Sequence, residues 1–303
     1  SLLKNAELFL ENADKNKHVY GIDGVLSVWR VDHNQNGIIE LNPTQDYNGD
    51  GLINADDADS VKLYFGLRRG GRMYYGLNLN APDAPSVMWK IAPQAGSGAN
   101  ANGFSELGET WSKPTLSKLR VASTTDTASS KLKYVLVFGG GYDPRKDEDN
   151  LTNRLPDQWG RDVFIVDAET GGLIWSLKNG YYGPSGNQTA IPEASSLNHS
   201  VAGDIRILDM DGNGALDRLY FADTGGNVWR VDMDVDVKDT DSTTSYDYGK
   251  AKLTQLGSLG GDSTTKDHRK FFYEPDTAMR MQDGKPILTI SIGSGYRTHP
   301  LNT

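Results

Sequence analysis

Three stretches of the chain place oxygen-bearing side chains at the alternating positions that a calcium loop requires. One of them lies between two apolar runs, Ile205–Leu208 and Leu219–Phe221. Its predicted ligands, at loop positions 1, 3, 5, 7 and 9, are Asp209, Asp211, Asn213, the main-chain carbonyl of Ala215, and Asp217. Position 6 is Gly214, which permits a sharp turn, whereas position 12 lacks the glutamate of an EF-hand. The stretch predicts a calcium loop inserted in a β-hairpin, with Leu216 and Leu219 pointing back to the sheet; the alternative is an acidic turn that binds nothing.

A second candidate loop runs from residue 46 to residue 57. Its predicted ligands are Asp46, Asn48, Asp50, the main-chain carbonyl of Leu52, Asn54 and Asp57. Gly51 stands at position 6, and Ile53 at position 8 is expected to anchor the loop to a core. The string resembles the calcium loop of dockerin modules, although one good copy does not predict a cohesin partner. An acidic turn without an ion is again the alternative.

A third candidate loop lies just before the second. Its oxygen-bearing side chains are Asp32, Asn34, Asn36 and Glu40, with Gly37 at position 6. Only two of these groups are charged, and position 12 is Pro43, whose side chain cannot bind a metal. Three alternatives stay open for this loop: weak binding, sharing of the neighbouring ion, or a polar turn.

The charge of the chain is concentrated around these loops. The formal net charge is −9, and residues 32–59 hold seven acidic side chains with no lysine or arginine. This balance fits cation ligation and argues against nucleic acid as a partner, which needs basic patches. The absence of cysteine excludes disulfides and thiolate metal sites, and no apolar run approaches the ~20 residues of a membrane span. The chain starts without methionine or a visible signal peptide, so we expect a fragment of a longer protein.

Catalytic motifs are few. The five histidines show no metalloprotease spacing, and no G-x-S-x-G elbow occurs. The run Gly139–Gly141 lacks the rest of a dinucleotide fingerprint and is interpreted as a turn at a strand end. The basic segment Arg68–Arg72 could meet phosphate, but a structural turn is favoured. We therefore expect no enzymatic activity.

Short strands separated by turn signals dominate the chain after residue 17. They are predicted at His18–Ile22, Val25–Val31, Arg72–Leu79, Val87–Ile91, Thr115–Val121, Tyr134–Phe138, Val163–Asp167, Leu173–Leu177, Ile205–Leu208, Leu219–Phe221, Asn227–Val231, Lys270–Tyr273 and Ile287–Ile292. Four strands contain a tryptophan near their end, and three of these follow a glycine turn at once. The recurrence predicts an all-β fold of the β-propeller type, with the tryptophans holding neighbouring blades together. A β-sandwich is the alternative.

The predicted domain organisation has one large unit. Residues 1–16 are expected to form an amino-terminal segment, helical in part, and residues 17–303 the propeller domain. An insertion at residues 32–60 carries the two neighbouring loops, and Ala55–Phe65 at its end is interpreted as a short helix.

Several blocks of the chain resemble the PilC/PilY family of type IV pilus tip-associated proteins. In the order in which the family has them, they read FGLRRGGRMYYGLNL, GETWSKPTL, VLVFGGGYD, DVFIVDAETGGLIW, LDMDGNGALDRLYFADTGGNVWRVDM and ISIGSGYR. The resemblance covers about His18 to Pro300 and implies the family's carboxyl-terminal, quinoprotein-like β-propeller. It also implies that the family's calcium ligands fall on the loop Asp209–Asp217. The insertion is a departure, since it is not expected in every member.

The resemblance also implies a function. It is that of an exported, calcium-binding protein at the pilus tip or cell surface, which adheres to surfaces and controls pilus extension and retraction, and so twitching motility. The implied partners are minor pilins of the tip complex and a host or abiotic surface. The rival hypothesis is a quinone-dependent propeller dehydrogenase, because TGGLIW also resembles quinoprotein blades. A carbohydrate-degrading accessory module is a third hypothesis.

Overall fold

The computed structural model describes residues 20–47, 49, 51–94, 103–122, 130–148, 155–178, 180–181, 191–233, 251–260, 269–295 and 297. Within them the chain forms fifteen β-strands and three short 3-10 helices, at Ala55–Asp57, Pro144–Glu148 and Pro192–Ser196, but no α-helix. The predicted all-β class is confirmed. The predicted amino-terminal segment, residues 1–16, lies outside the described residues. None of the described helices has the length and apolar character needed to cross a bilayer.

The strands form three antiparallel meanders in chain order and one separate hairpin. The first sheet contains β1 (Ser27–Val31), β2 (Ser60–Gly66), β3 (Tyr74–Asn78) and β4 (Ser86–Ile91). The second contains β5 (Thr115–Ala122), β6 (Ser130–Gly139), β7 (Val163–Asp167), β8 (Leu173–Ser176) and β9 (Gly180–Tyr181). The third contains β10 (Arg206–Leu208), β11 (Arg218–Ala222), β12 (Asn227–Asp232) and β13 (Lys252–Ser258). The hairpin is β14 (Asp276–Gln282) with β15 (Lys285–Ser291).

The second sheet is buried on both faces between its neighbours. In β7, Val163 and Ile165 belong to a core that includes residues of the third sheet. Phe164 and Val166 belong to a core that includes residues of the first sheet. Alternate side chains of a strand point to opposite faces, so a strand with two covered faces has a continuous apolar sequence. Three meanders stacked face to face in chain order are blades of a β-propeller, and a two-sheet sandwich does not describe them.

Tryptophan side chains join the first blade to the second, as predicted. The Nε1 atom of Trp89, in β4, donates to the carbonyl oxygen of Ala168 at 3.0 Å. The backbone of Gly171 lies so close to the Trp89 ring that a Cβ there would be 2.8 Å from a ring carbon. The ring of Trp29, in β1, lies 4.5 Å from that of Tyr134 in β6.

Several predicted elements differ from the structure. The segment Ala55–Phe65 is not a helix: its end is strand β2, in which Lys62 and Tyr64 are both buried with the period of two typical of a strand. No strand forms over residues 20–26, and β1 instead pairs with β2 across the insertion. Residues 270–273 form no strand, whereas β13 and β14 were not predicted, because their polar, largely exposed residues lack apolar alternation.

Candidate metal centre

The loop of residues 209–217 connects β10 to β11, as the sequence predicts. Leu208 and Arg218 face each other in the antiparallel register, so the loop leaves and re-enters the sheet at one pair of residues. The main-chain nitrogen of Asp217 donates to the carbonyl oxygen of Leu208 at 2.9 Å. A two-residue turn could join such strands. The longer loop therefore folds on itself, which brings its side chains together.

Three carboxylates converge in this hairpin loop. One oxygen from each of Asp209, Asp211 and Asp217 lies within 4.8 Å of the other two. Oxygens bound to one calcium ion at about 2.3–2.6 Å lie at most ~5 Å apart, so these separations fit a single ion. Asp209 and Asp211 are exposed and Asp217 is half-buried, which leaves the loop accessible. The donor set suits a hard divalent cation that prefers oxygen.

Main-chain amides hold this loop in shape. The Oδ2 atom of Asp209 accepts a hydrogen bond from the amide of Gly214 at 2.7 Å. This bond is the main reason why the pKa of Asp209 lies below its usual value. Further along, Asp211 accepts from the amide of Asn213 at 3.0 Å, and Asn213 accepts from that of Ala215 at 2.8 Å. The loop is therefore held in shape by its own hydrogen bonds, with Asp209 ionised at neutral pH.

The end of the loop is tied to strands outside its own hairpin. The amide of Leu216 donates to the carbonyl oxygen of Lys118, in β5 of the second blade, at 2.9 Å. The amide of Met233, just after β12, donates to the carbonyl oxygen of Asp217 at 2.8 Å. Leu216 and Leu219 are buried, which confirms that they point back to the sheet. The carboxylate of Asp217 is thus placed by the framework of the blades.

The loop of residues 46–57 lies in the segment between β1 and β2. The Oδ2 atom of Asp46 accepts from the amide of Gly51 at 2.8 Å, the same arrangement as at Asp209. Asn48 and Asp50 lie outside the described residues. Ile53 is 58 % exposed, so its predicted anchoring role is wrong.

A buried carboxylate anchors this second loop instead. Asp57 is 1 % exposed. Its two oxygens accept from the amides of Tyr47 and Asn54 at 2.8 and 3.1 Å. The loop is therefore anchored by the buried carboxylate of Asp57, at position 12, and not by the apolar side chain of Ile53, at position 8. Leu52, whose carbonyl is a predicted ligand, has a side chain exposed to solvent.

The loop of residues 32–40 directly follows β1. The Oδ2 atom of Asp32 accepts from the amide of Gly37 at 3.0 Å. Asn34 accepts from the amide of Asn36 at 3.0 Å. The carboxylate of Glu40 accepts from the side-chain amides of Asn34 and Asn36 at 2.7 and 3.2 Å. All four predicted ligand side chains are thus gathered by their own hydrogen bonds.

All three loops have positive φ angles at the same two positions. At position 6, the φ angles are 86°, 84° and 87° for Gly37, Gly51 and Gly214. At position 4, the φ angles are also positive, at 57°, 78° and 78° for Gln35, Gly49 and Gly212. Such angles favour glycine, which stands at five of these six places. The alternate spacing in the sequence therefore predicted one loop type in three copies.

A further carboxylate at the insertion, that of Asp59, was not predicted from the sequence. This residue is 3 % exposed, and its carboxylate accepts from the amides of His33 and Glu40 at 2.9 and 3.0 Å. It thereby joins the end of the insertion to the loop of residues 32–40. Position 12 of this loop is Pro43, and Asp59 lies 16 residues beyond it in the sequence. No local spacing pattern could therefore have indicated Asp59.

A cavity of about 590 Å³ opens between the base of the insertion and the first two blades. Trp29, Asp59, Lys62 and Tyr134 are among its lining residues. The Nζ atom of Lys62 lies 4.0 Å from the centroid of the Trp29 ring and forms an ion pair with Glu169. These cationic, anionic and aromatic groups contact one another, so they brace the cavity wall.

The basic segment Arg68–Arg72 makes structural contacts, as the sequence favoured over a phosphate site. Both terminal nitrogens of the Arg69 guanidinium donate to Asp147, at 2.6 and 3.2 Å. The Nε atom of Arg72 donates to the carbonyl oxygen of Leu107 at 2.7 Å. These contacts join the first blade to the residues on either side of β5 and β6.

Comparison with known proteins reveals relatives in sequence, although no family model matches. A type IV pilus biogenesis factor PilY1 homolog from Xylella fastidiosa is 28 % identical over 176 residues, 56 % of this chain and 10 % of that protein. The type IV pilus biogenesis factor PilY1 of Pseudomonas aeruginosa strain UCBPP-PA14 is 24 % identical over 190 residues, 63 % of this chain and 13 % of that protein. The chain thus spans about a tenth of the length of the curated relatives it matches.

Solved structures show weaker similarity. The carboxyl-terminal domain of Pseudomonas aeruginosa PilY1 aligns with a TM-score of 0.49 and 18 % identity, over 79 % of this chain and 42 % of that one. A europium-containing methanol dehydrogenase aligns with a TM-score of 0.28 and 12 % identity, over 76 % of this chain and 27 % of that one. The fold assignment therefore rests on the stacked meanders themselves. The sequence matches confirm the resemblance found in the motifs: over somewhat more than half of its length, the chain is similar to the PilY1 type IV pilus biogenesis factors.

Proposed function

We propose that this chain is a calcium-binding module of a type IV pilus biogenesis protein, displayed at the pilus tip or cell surface. The observation that carries the proposal is the convergence of Asp209, Asp211 and Asp217 in one hairpin loop. The relationship to PilY1 factors supplies the pilus context. In this role the module contacts minor pilins and an external surface, and calcium controls pilus extension and retraction.

Two loops form the basis of calcium binding in this proposal. The hairpin loop binds one ion, and the loop of residues 46–57 binds another through Asp46, Asn48, Asp50, the Leu52 carbonyl, Asn54 and Asp57. A few carboxylates per site correspond to an affinity on the order of 10⁻⁵ to 10⁻³ M, the range of extracellular modules. The ion fixes conformation: each loop is built from adjacent residues and faces no catalytic constellation among the described residues.

An enzyme is the weaker alternative. A quinone-dependent dehydrogenase needs a cationic, tryptophan-lined cofactor site, whereas Arg69 and Arg72 are engaged in structural contacts. The relatives are named for pilus biogenesis. Dye reduction on adding a quinone cofactor and an alcohol would contradict the non-enzymatic proposal.

The test is made in cells that carry the whole protein. Asp46→Ala and Asp209→Ala are introduced together at the chromosomal locus, and Asp283→Asn, in an exposed turn at φ 51°, is the control. The amounts of sheared surface pili and the width of the twitching zone are measured with and without a calcium chelator. We expect the double variant to lose its response to the chelator, while the control responds like the parent. An unchanged response in a double variant that is present at normal levels and no longer binds ions at these loops would contradict the regulatory role.

A further inference from the structure

Asp57 closes the loop of residues 46–57, the second loop in chain order, through three hydrogen bonds. Its Oδ1 atom accepts from the amide of Tyr47, at loop position 2, at 2.8 Å. Its Oδ2 atom accepts from the amide of Asn54, at loop position 9, at 3.1 Å. Its own amide donates to the carbonyl oxygen of Asn54 at 3.1 Å. Asp57 is position 12 of this loop, the place from which calcium loops supply a carboxylate.

Asp59 closes the loop of residues 32–40, the first loop in chain order, through the same three hydrogen bonds. Its Oδ1 atom accepts from the amide of His33, at position 2, at 2.9 Å. Its Oδ2 atom accepts from the amide of Glu40, at position 9, at 3.0 Å, and its own amide donates to the Glu40 carbonyl at 3.0 Å. Position 12 in sequence is Pro43. Asp59 therefore takes the structural place of position 12, which Pro43 cannot fill because its side chain has no metal-binding oxygen.

An independent observation concerns the first ligand position of this loop. The side chain of Asp32 is only 6 % exposed. Its Oδ2 atom accepts from the amide of Gly37 at 3.0 Å and forms an ion pair with Arg30. Its Oδ1 atom is buried and has no hydrogen-bond partner among the described residues. Arg30 compensates charge at Oδ2, but a buried oxygen that accepts no hydrogen bond, such as Oδ1, is unfavourable unless a further donor or cation lies against it.

The other two loops differ at this oxygen. In each of them the Oδ1 atom of the first aspartate accepts from the amide of the position 4 glycine, at 2.6 Å for Asp46 and 2.7 Å for Asp209. In the first loop the amide of Gln35 donates instead to the main-chain carbonyl of Asp32, at 3.4 Å. The Oδ1 atom of Asp32 is thus available at the loop position that provides a metal ligand.

We propose that the first loop is a third calcium site, and that Asp59 supplies its closing carboxylate from beyond the second loop. The ligands are side-chain oxygens of Asp32, Asn34, Asn36, Glu40 and Asp59, with the carbonyl of Ile38 at position 7. A carboxylate oxygen that accepts one amide keeps a lone pair for the ion. The proposal adds a site to the calcium function proposed above and does not depend on the pilus role.

The geometry also makes the two insertion loops a pair. Asp57 and Asp59 lie on the same short segment before β2. The rings of His33 and Tyr47, at position 2 of each loop, stack with centroids 5.0 Å apart and an interplanar angle of 11°. The insertion is therefore one two-ion module whose closing carboxylates come from a single segment.

The test counts calcium ions per chain by equilibrium dialysis and atomic emission at saturating calcium chloride. The variants are Asp32→Asn, Asp59→Asn and the control Asp283→Asn. Asp32→Asn keeps an oxygen for the amide of Gly37, and it removes the buried charge together with the ion pair to Arg30, whose side chain is half-exposed. Circular dichroism of this variant checks that the fold is preserved. We expect Asp32→Asn and Asp59→Asn each to bind one ion fewer than the unmodified chain, and Asp283→Asn to bind the same number.

Other outcomes would overturn the inference. An unchanged ion count in Asp32→Asn means that the first loop is not a site, and an unchanged count in folded Asp59→Asn means that Asp59 is not a ligand. An Asp59→Asn chain that stays unfolded at every calcium concentration, by circular dichroism, makes Asp59 a structural residue only. If Asp209→Ala loses an ion and Asp32→Asn does not, this inference fails and the proposed function stands. A parent chain that binds no calcium would contradict both this inference and the proposed function.

Discussion

At the scale of single residues, burial decides what an aspartate does in this chain. Asp209 is exposed, and hydrogen bonds led by the Gly214 amide lower its pKa. Asp162 is fully buried, and burial raises its pKa to about 7. The amides of Val163 and Lys178 donate to the Oδ1 atom of Asp162 at 2.8 and 3.1 Å and favour its ionised form, but burial outweighs them. The first aspartate can hold a cation; the second weakens the fold when it ionises.

The raised pKa of Asp162 predicts a pH dependence of stability. Between the ordinary aspartate pKa of ~4 and the folded pKa of about 7, the folded chain binds more protons at this residue than the unfolded chain. Its contribution to stability is therefore present at pH 4 and is lost as the pH rises toward 7. Even one unit of raised pKa corresponds to ~1.4 kcal/mol.

Asp162→Asn tests this dependence, because the amide keeps an oxygen acceptor without the charge. We expect the melting temperature of the variant, relative to the parent, to be a few degrees higher at pH 8 than at pH 5. Thermal melts in chelator at both values measure it, with Asp283→Asn as the control. A difference between variant and parent that is the same at both pH values would show that Asp162 does not titrate with folding.

At the scale of elements, the β10–β11 hairpin stores a repulsion that calcium can remove. Three carboxylates lie within 4.8 Å of one another at its tip, and without an ion they repel. An ion that binds the folded loop and not the unfolded chain would stabilise the blade by mass action. At ten times the Kd, this stabilisation is about 1.4 kcal/mol.

Asp217→Ala should abolish calcium-dependent stabilisation by the hairpin. The background carries Asp32→Asn and Asp46→Ala, so that the insertion contributes no ion. We expect the background to melt a few degrees higher in calcium than in chelator, and the chain with Asp217→Ala added to melt at one temperature in both. If calcium stabilises both chains equally, the hairpin is an acidic turn that binds no ion.

At the scale of the whole molecule, the blades are joined by close contacts that tolerate no added atoms. The Trp89 ring lies against the backbone of Gly171, whose φ angle is 69°. An alanine there would be strained by its backbone angle and would also press on the ring of the neighbouring blade. The next residue, Gly172, is exposed, and a Cβ there would meet only the Thr170 hydroxyl, at 3.2 Å.

Gly171→Ala and Gly172→Ala form a matched pair of variants. Overpacking of a filled contact costs about 1–3 kcal/mol, so Gly171→Ala should lower the melting temperature by several degrees. Gly172→Ala should change it little. Thermal melts followed by tryptophan fluorescence compare the two, and equal effects would mean that the Trp89 contact does not limit stability.

Much of this structure was predictable from local patterns. The loop spacings predicted three copies of one backbone, and the glycine-plus-tryptophan hairpins predicted blades. Elements with no local signature were missed: β13 and β14 carry polar residues on exposed faces, and β2 was mistaken for a helix because a short run of mixed residues fits either period. Asp59 could not be found because it completes a loop to which it is not adjacent in sequence.

The position of Asp217 has a mechanical consequence. Its amide bonds to Leu208, its carboxylate to the amide of Met210 at 2.5 Å, and its carbonyl to the amide of Met233, so it is a node at which three strands meet. Pulling the hairpin open from this end would load its hydrogen bonds one at a time. They would then break at a lower force than if all were loaded together. An ion bound at the node would block the first step, so that the remaining hydrogen bonds would carry the load together. Calcium would then set the tension at which this blade yields.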